Sequence, residues 1–501
     1  MKDIVLAIDI GTGSTRAALV SSSAEIIDIV QTEYDQFSPK VGWSEQQPSE
    51  WWLSTLMCIN ELFNKHPDMA KRIAVVSACG QMHGTVLLDV NGELVVDTAI
   101  LWNDKRAEDI TERFKAEFAS EELVEVVNNP PTSAWPAFKL KWIKENQPEV
   151  WSKVDKVLMP KDYINYRLTG VCATDLSEAS CFYLMNSTDK SYDTHMLNLF
   201  GFSEGMFPEI RSASDIIGST TAEVEAVTSL PEGTPVIAGT ADMAATLLGS
   251  GVYKPGQASD STGTSTLLTL VSDRPSSNLH MNNLHLANEK WGTFSILDAG
   301  GDAMRWVRLV LKDNQVSYPE LAKQAQNAPI GSNALMFLPY LTGERNSEKC
   351  NSKAQWFGLS RMHRIGDIYR SVMEGVAFAA KRNLDAMKTS EKISQIIASG
   401  GGAKDDFWLR IKASVYNVPI VKTKGDENGI LGCAMLGCLA IGAYDDLDKT
   451  VEKFVLVDKV INPVPEWVEY YERAYVLYNQ LYKSSQQYYD QLDDLTGVSI
   501  Q

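Results

Sequence analysis

Residues 4 to 20, IVLAIDIGTGSTRAALV, place two short apolar runs on either side of a polar tip. Apolar runs that flank a glycine-containing loop predict a β-hairpin. Glycines let backbone amides approach an anion, hydroxyls add donors, and a carboxylate can hold Mg²⁺ through water. The tip therefore predicts either an ordinary exposed hairpin or a phosphate site. Its candidate residues are Asp9, Gly11, Thr12, Gly13 and Arg16.

A second segment late in the chain, QASDSTGTSTLLTLV at residues 257 to 271, repeats this pattern. It contains Asp260 and a tip of Gly263, Thr264 and Ser265 before another apolar run. Two such tips at the starts of two halves suggest a duplicated domain with a nucleotide clamped between the copies.

The length of the chain agrees with a duplication, because 501 residues are too many for one ordinary core. Strand-rich openings followed by helices in both halves indicate two α/β domains. We predict that the first domain spans residues 1–248 and the second spans residues 249–501.

Charge and cysteine content exclude several classes of protein. A net charge of -18 argues against binding to nucleic acid or to an anionic membrane surface. Seven scattered cysteines without paired metal spacing fit a reducing compartment, and Asp3 interrupts any apolar leader, so a cytoplasmic location is expected. The uncharged run at 430–444 is too short to span a bilayer and predicts a buried helix.

Two polar stretches follow predicted strands of the first domain. A histidine beside glycines and a glutamine is either a structural residue or a contact to a polyol. The asparagine and aspartate of the second stretch either cap the following helix or bind a ligand. The residues are Gln81, Met82 and His83 in the first stretch and Trp102, Asn103 and Asp104 in the second.

Glycine-containing segments mark two further features. Asn91-Gly92 predicts a tight hairpin between strands at 86–90 and 94–99. Gly400-Gly401-Gly402 follows a predicted strand at 396–398. Three consecutive glycines let the backbone lie flat against a phosphate or an adenine, and we favour this interpretation over a flexible linker.

A carboxylate ends the predicted strand at 235–238, in the sequence Gly-Thr-Ala-Asp that closes on Asp242. Asp242 is either the N-cap of the helix that follows or a general base at the end of a strand.

These motifs together resemble the FGGY family of carbohydrate kinases and, within it, the xylulokinases. Asp9-Ile10-Gly11-Thr12 is similar to the first phosphate motif of the family, Gly263-Thr264-Ser265 to its second, and Gly400-Gly401-Gly402 to its adenosine motif. Further matching stretches lie at 42–46, 81–84, 101–104, 160–163, 358–359, 367–368 and 373–375.

The resemblance implies an actin-like fold, in which two ribonuclease H-like domains close on MgATP and a sugar held in the cleft between them. It implies that Asp242 is the catalytic base, that Asp9 organises Mg²⁺ and that Met82 and His83 contact the sugar. The activity it implies is ATP-dependent phosphorylation of D-xylulose to D-xylulose 5-phosphate. A homodimer is also expected.

Two departures from the family pattern concern the sugar. Met243 follows the base where xylulokinases usually have Asn, and Asn346-Ser347 replaces the usual Thr-Pro. Ribulose, L-xylulose, erythritol and gluconate therefore stay open as alternative substrates. A nucleotide-gated module of the actin or Hsp70 type is the alternative from another class, although such modules lack the Gln-Met-His-Gly and Trp-Asn-Asp stretches.

Overall fold

The structure is a computed structural model. It describes residues 2–118, 126–312, 315–345, 350–387, 389 and 391–496. The Asn346-Ser347 departure lies outside the described residues.

The strands of the described residues are numbered in chain order. They are β1 (Ile4–Ile10), β2 (Ser14–Ser21), β3 (Ile26–Glu33), β4 (Glu45–Gln46), β5 (Ile73–Gly80), β6 (Val86–Leu88), β7 (Ala99–Ile100), β8 (Lys156–Leu158), β9 (Ala173–Asp175), β10 (Met185–Asn186), β11 (Ser191–Tyr192), β12 (Glu209–Arg211), β13 (Ile216–Ser219), β14 (Pro235–Ile237), β15 (Thr240–Ala241), β16 (Gln257–Thr262), β17 (Thr266–Ser272), β18 (Asn282–His285), β19 (Trp291–Leu297), β20 (Met336–Leu338), β21 (Gln355–Phe357), β22 (Gln395–Ser399), β23 (Ile420–Thr423) and β24 (Val457–Ile461).

The α-helices are numbered in the same way. They are α1 (Pro48–Lys65), α2 (Glu108–Phe118), α3 (Pro136–Asn146), α4 (Pro148–Trp151), α5 (Pro160–Thr169), α6 (Leu176–Ser180), α7 (Thr194–Phe200), α8 (Ala222–Thr228), α9 (Asp242–Gly249), α10 (Gly301–Lys312), α11 (Tyr318–Asn327), α12 (Ile365–Ala386), α13 (Asp406–Tyr416), α14 (Asn428–Ala440), α15 (Leu447–Phe454) and α16 (Pro465–Thr496).

The chain divides into two compact units that are not simple halves of the sequence. The first unit consists of residues 1–253, 284–291 and 427–456. The second consists of residues 254–283, 292–426 and 457–501. Two segments of the second half of the sequence thus pack with the first half. The domain boundary between residues 248 and 249 stays a prediction.

The first unit is built on a mixed sheet in the order β13-β14-β5-β1-β2-β3, with β15 also paired to β5. β1 is antiparallel to β2 and parallel to β5. The predicted hairpin is confirmed, and its register places Asp9 directly opposite Arg16.

The central strand of this sheet is buried on both faces, which explains why the run before Asp9 is continuously apolar. Ile4, Leu6 and Ile8 pack on one side in the same cluster as residues of α1. Val5 and Ala7 pack on the other side with residues of α14. Helices therefore cover both faces of the sheet.

The sheet of the second unit has the order β18-β19-β17-β16-β22-β23-β24. Its hairpin, β16 and β17, is antiparallel, and β16 is parallel to β22. The first unit has the same arrangement of β1, β2 and β5. The duplication suggested by the two tips thus extends to the strands around them.

One predicted hairpin forms only next to its turn. The turn at Asn91-Gly92 is present, Leu94 bridges Leu88 in antiparallel orientation, and the amide of Val95 donates to the carbonyl of Leu87 (2.9 Å). The pairing does not extend along the predicted strand at 94–99, because β6 also pairs with β8 and the segment that begins at Ala99, β7, pairs with β4. The local turn residues predicted the turn correctly, but most partners of the flanking segments are distant in the sequence.

The predicted buried helix at 430–444 is confirmed as α14, and its small residues allow unusually close packing. A Cβ added at Gly432 would lie 2.1 Å from the carbonyl oxygen of Ala245 in α9, and one at Gly249 would lie 1.9 Å from that of Asn428. On another side of α14, a Cβ at Gly437 would lie 2.7 Å from Val5 of β1. The backbones of α9 and α14 are therefore in direct contact.

The close contact between α9 and α14 predicts whether one substitution raises or lowers the free energy of unfolding. Gly→Ala inside a helix ordinarily stabilises it by about 1 kcal/mol, because alanine loses less backbone entropy. Gly432→Ala is expected to lower the free energy of unfolding instead, by about 1–3 kcal/mol, because the helices must separate. Urea unfolding followed by circular dichroism measures the change.

Gly205→Ala is the matched control, since a Cβ there has no neighbour closer than 3.9 Å. It is expected to leave the free energy of unfolding nearly unchanged. A Gly432→Ala variant as stable as the wild type would contradict the close helix contact.

Candidate functional site

Two side chains hold the tip of the β1–β2 hairpin. Tyr34 donates its hydroxyl proton to the carbonyl of Gly11 (2.6 Å), and Gln46 donates an amide proton to the carbonyl of Thr12 (2.6 Å). Gly13 is exposed at the tip. The amide of Gly11 closes the tip by donating to the carbonyl of Ser14 (2.9 Å), so the amides of Thr12 and Gly13 are the ones suited to an anion.

Asp9 and Arg16 face each other across the hairpin and form an ion pair. The other arm of the guanidinium bonds Glu427, with 2.6 Å between Nη1 and Oε2. The Asp9 side chain is only 7% exposed, whereas those of Arg16 and Glu427 are 32% and 36% exposed. The predicted metal carboxylate and a predicted phosphate contact thus lie together.

The chemistry of Asp9 suits Mg²⁺. Mg²⁺ usually keeps several waters and binds one or two protein carboxylates together with substrate phosphates. Asp9 offers such a carboxylate beside the glycine tip. In the described part of the chain, no three or more His, Cys, Asp or Glu side chains form a cluster that could hold a metal. Asp9 therefore fits a metal that arrives with phosphates.

Gln81, Met82 and His83 follow β5 directly. Gln81 is buried and donates an amide proton to the side-chain oxygen of Gln46 (2.9 Å), the residue that also holds the hairpin tip. The Oε1 atom of Gln81 has no hydrogen-bond partner among the described residues. Met82 is half-buried, with its sulfur 3.8 Å from that of Cys181. One glutamine thus links this stretch to the first phosphate motif.

His83 has a left-handed backbone, with a φ of 66°. Its ring packs edge-on against Trp135, with 4.9 Å between the ring centroids. Burial, together with the charge of Lys139, lowers the pKa of His83 to about 3. Nδ1 is buried and has no partner within the described residues. The imidazole is therefore neutral near pH 7 and can hydrogen-bond a ligand.

Trp102 and Asn103 are exposed side chains, in contrast to the first stretch. The indole of Trp102 donates to the hydroxyl of Thr12 in the hairpin tip (3.2 Å). The fold therefore brings Trp102 to the first phosphate motif although 90 residues separate the two in the sequence.

Asp104 is buried, and both of its carboxylate oxygens accept hydrogen bonds. Its partners are the backbone amide of Ser44 (2.6 Å) and the guanidinium of Arg106, which also pairs with Glu45 (2.6 Å). These contacts fix the turn before the β4 strand. A sugar contact by Asp104 stays a prediction.

Asp242 is the first residue of α9, and Ala241 occupies the cap position. Its carboxylate accepts from the amide of the next residue, Met243 (2.6 Å), whereas a cap bonds an amide two or three residues further on. Burial, together with the charge of Asp9, raises the pKa of Asp242 to about 7. A carboxylate with this pKa suits a general base near neutral pH.

A buried charged cluster fixes the stretch that leads into α9. Lys161 is fully buried and pairs with Asp162 (2.6 Å) and Asp175 (3.2 Å). It also donates to the carbonyl of Ala238 (2.8 Å), while the hydroxyl of Thr240 donates to Asp175 (2.9 Å). Buried ions that are paired and hydrogen-bonded in this way hold the backbone around them.

The two nucleotide motifs predicted in the second unit line one cavity of about 700 Å³. Gly263 and the glycines at 401 and 402 form part of its wall. Tyr369 and Trp408 are among its other lining residues. A cavity with glycine backbone on one side and aromatic side chains on another is suited to a flat base and its phosphates.

Glycines let the loops of this cavity pack tightly. Gly400 has a φ of 76°, and a Cβ there would lie 2.7 Å from the carbonyl oxygen of Thr262. The tip itself is closed by a bond from the amide of Gly263 to the carbonyl of Ser265 (2.9 Å), and Thr264 is exposed. Any other residue at 400 would push the glycine loop away from the second phosphate motif.

Asp260, the apparent counterpart of Asp9, has a different environment. It is buried and accepts from Lys412 (2.8 Å) and from the hydroxyls of Tyr416 (2.9 Å) and Thr262 (2.6 Å). Buried side chains bond both of its carboxylate oxygens, so Asp260 fixes the strand that leads into the second phosphate motif.

Sequence reasoning missed several of these groups. Glu427 only precedes a buried helix in the sequence, and nothing there links it to Arg16. Gly300 and Gly301 are a visible glycine pair, and the amide of Gly301 donates to the carbonyl of Gly263 (2.8 Å). A search for every glycine pair before a helix would have found them.

A duplicated α/β sheet with glycine-bearing hairpin tips points to the nucleotide-dependent phosphotransferases. Residues 4–249 match the N-terminal domain model of the FGGY family of carbohydrate kinases, and residues 258–441 match the C-terminal domain model. The chain belongs to the FGGY family of carbohydrate kinases. It is therefore a sugar kinase, which transfers a phosphoryl group to an alcohol, and ATP use follows from the family.

Similar proteins cover nearly the whole chain. The xylulose kinase of Bacillus subtilis (strain 168) is 30% identical over 484 residues, which are 95% of this chain and 96% of that protein. The solved gluconate kinase of Lactobacillus acidophilus has a TM-score of 0.90 at 27% identity and covers 98% of this chain and 99% of its own. The ligand-bound xylulose kinase from the same organism has a TM-score of 0.89 at 26% identity, with the same coverage. The predicted α/β fold of two actin-like domains is confirmed.

None of the helices in the described ranges is both long and apolar enough to cross a membrane.

The raised pKa of Asp242 makes a prediction about stability. Between pH 4 and 7 the folded protein holds this proton more tightly than the unfolded chain does, so ionisation of Asp242 lowers stability as pH rises through that window. Asp242→Asn removes the free-energy cost of ionising this carboxylate in the folded protein. It is expected to raise the free energy of unfolding at pH 8 by about 2–4 kcal/mol, with the gain disappearing near pH 4.

Urea unfolding at both pH values measures this difference. Asp3→Asn is the control, because pairing with Arg72 lowers the pKa of Asp3, so its loss should destabilise the protein at pH 8. Equal effects of Asp242→Asn at pH 8 and pH 4 would contradict the raised pKa.

Proposed function

We propose that this kinase transfers the γ-phosphoryl group of ATP to D-xylulose and forms D-xylulose 5-phosphate. The observation that carries the proposal is Asp242, a half-buried carboxylate whose pKa is raised to about 7 at the start of α9. A group with this pKa is about half ionised near pH 7, and its ionised form is basic enough to take a hydroxyl proton.

The chemical step forms one bond and breaks one. The hydroxyl oxygen of the sugar attacks the γ-phosphorus, the bond from that phosphorus to the bridging oxygen of ADP breaks, and Asp242 accepts the hydroxyl proton. Most of the catalysis comes from positioning and from neutralising charge on the phosphoryl group.

The remaining groups divide between the two units. Arg16 and the amides at Thr12 and Gly13 support phosphate binding in the first unit, and Asp9 would hold Mg²⁺ through water. Bound Mg²⁺ supplies neutralisation of the phosphate charge. In the second unit, the cavity beside Gly263 and the triple glycine supports binding of adenosine.

The charge of the predicted sugar contacts favours a neutral substrate. Gln81, Met82, Trp102 and Asn103 are uncharged, and His83 is neutral because burial lowers its pKa to about 3. Asp104, the remaining predicted contact, is a carboxylate already paired with Arg106 and offers no positive charge. The carboxylate of gluconate would normally require a cation or several aligned donors. Gluconate is the second candidate because of the similarity to a gluconate kinase.

We place the reaction in the cytoplasm, where ATP is available. Assembly as a homodimer stays a prediction.

A substrate panel tests the proposed function. ADP release is measured with D-xylulose, D-ribulose, L-xylulose, erythritol and gluconate, and with no sugar as the baseline. D-xylulose is expected to give the highest kcat/KM, at least tenfold above gluconate. Faster turnover with gluconate or another polyol would refute the xylulose assignment.

A further inference from the structure

Lys139 is a fully buried lysine that the proposed mechanism does not use. It lies on α3, has no exposed surface, and donates from Nζ to the carbonyl oxygen of His83 (2.9 Å). Burial and the charge of Arg106, opposed by the charge of Asp104, lower the pKa of Lys139 to about 7. Burying an amine costs free energy, and the hydrogen bond to the His83 carbonyl offsets part of that cost.

The hydrogen bond from Lys139 is accepted by His83, whose backbone is left-handed. A left-handed conformation at a residue other than glycine costs about 1–2 kcal/mol and persists only where the surroundings hold it. The carbonyl oxygen of His83, which follows the φ of 66°, accepts a hydrogen bond from the buried Nζ atom of Lys139. Loss of the donor would leave that carbonyl buried without this partner.

The same end of α3 also holds the ring of His83. Trp135 occupies the cap position of α3 and packs edge-on against the imidazole, and Lys139 lies one helical turn further on. Two residues of α3 therefore hold His83: Trp135 packs against its ring, and Lys139 bonds its backbone carbonyl. His83 keeps its Nδ1 buried and unpartnered within the described residues.

We propose that Lys139 is a positioning residue of the sugar site, which fixes His83 in the left-handed conformation that its hydrogen bond to the sugar requires. Lys139 does not touch the sugar in this proposal. The inference rests on the proposed sugar contact of His83.

The test compares how one substitution changes KM for D-xylulose and KM for ATP. Lys139→Met keeps the length and apolar packing of the side chain but removes the donor. KM for D-xylulose is expected to rise at least tenfold, while KM for ATP changes less than twofold. A general loss of structure would raise both, so the split between the two values identifies positioning.

The same helix offers a matched control. Lys144 also donates from Nζ to a backbone carbonyl, that of Gly201, but it is far less buried. Lys144→Met is expected to leave both KM values unchanged. A rise in KM for the sugar equal to that of Lys139→Met would overturn the inference.

His83→Ala separates this inference from the proposed function. If His83→Ala raises KM for the sugar and the folded Lys139→Met does not, the positioning role is wrong and the proposed function stands. If neither variant changes it, the sugar contact itself is wrong. The double variant is expected to be no worse than His83→Ala alone, and additive effects would overturn a role through His83.

Lys139→Gln covers the case in which the methionine variant does not fold. Its amide can still donate, so the expected result is a smaller rise in KM for the sugar, between the wild type and His83→Ala, with KM for ATP unchanged. Equal rises in both KM values would overturn the inference.

Discussion

The direct backbone contact between α9 and α14 is the constraint on which the first unit depends. Gly432 and Gly249 let the two helices meet without intervening side chains. Asp242 begins α9, and Glu427 stands immediately before α14, where a Cβ at Gly429 would lie 3.3 Å from the Asp9 carboxylate. Wider spacing would move the proposed base and Glu427 relative to the hairpin.

Buried charges in the first unit fall into two groups with different consequences. Lys161 is paired with two carboxylates, and these contacts hold the stretch before α9. Asp242 and Lys139 have pKa values moved to about 7, mainly by burial. Burial of Asp242 and Lys139 therefore lowers the stability of the protein at the proposed base and next to the proposed sugar contact. Such a cost is expected where a site needs a pre-formed geometry.

Local patterns in the sequence predicted much of the fold. The apolar runs around each glycine tip predicted both hairpins, and the run of small residues predicted α14. The predicted strand at 94–99 pairs with β6 only at its start, because β6 and β7 also pair with segments distant in the sequence. Local patterns could not predict the contacts of Lys139 and Glu427, because their partners lie 56 and 411 residues away in the sequence.

Turnover of Asp242→Asn tests the central claim most directly. The variant keeps the shape of the side chain but cannot accept a proton. With ATP and D-xylulose saturating and folding verified by circular dichroism, turnover is predicted to fall by about 10²–10⁴-fold. Nucleotide affinity should hold or tighten because a negative charge is lost. Turnover by the folded variant close to that of the wild type would contradict the role of Asp242 as the base.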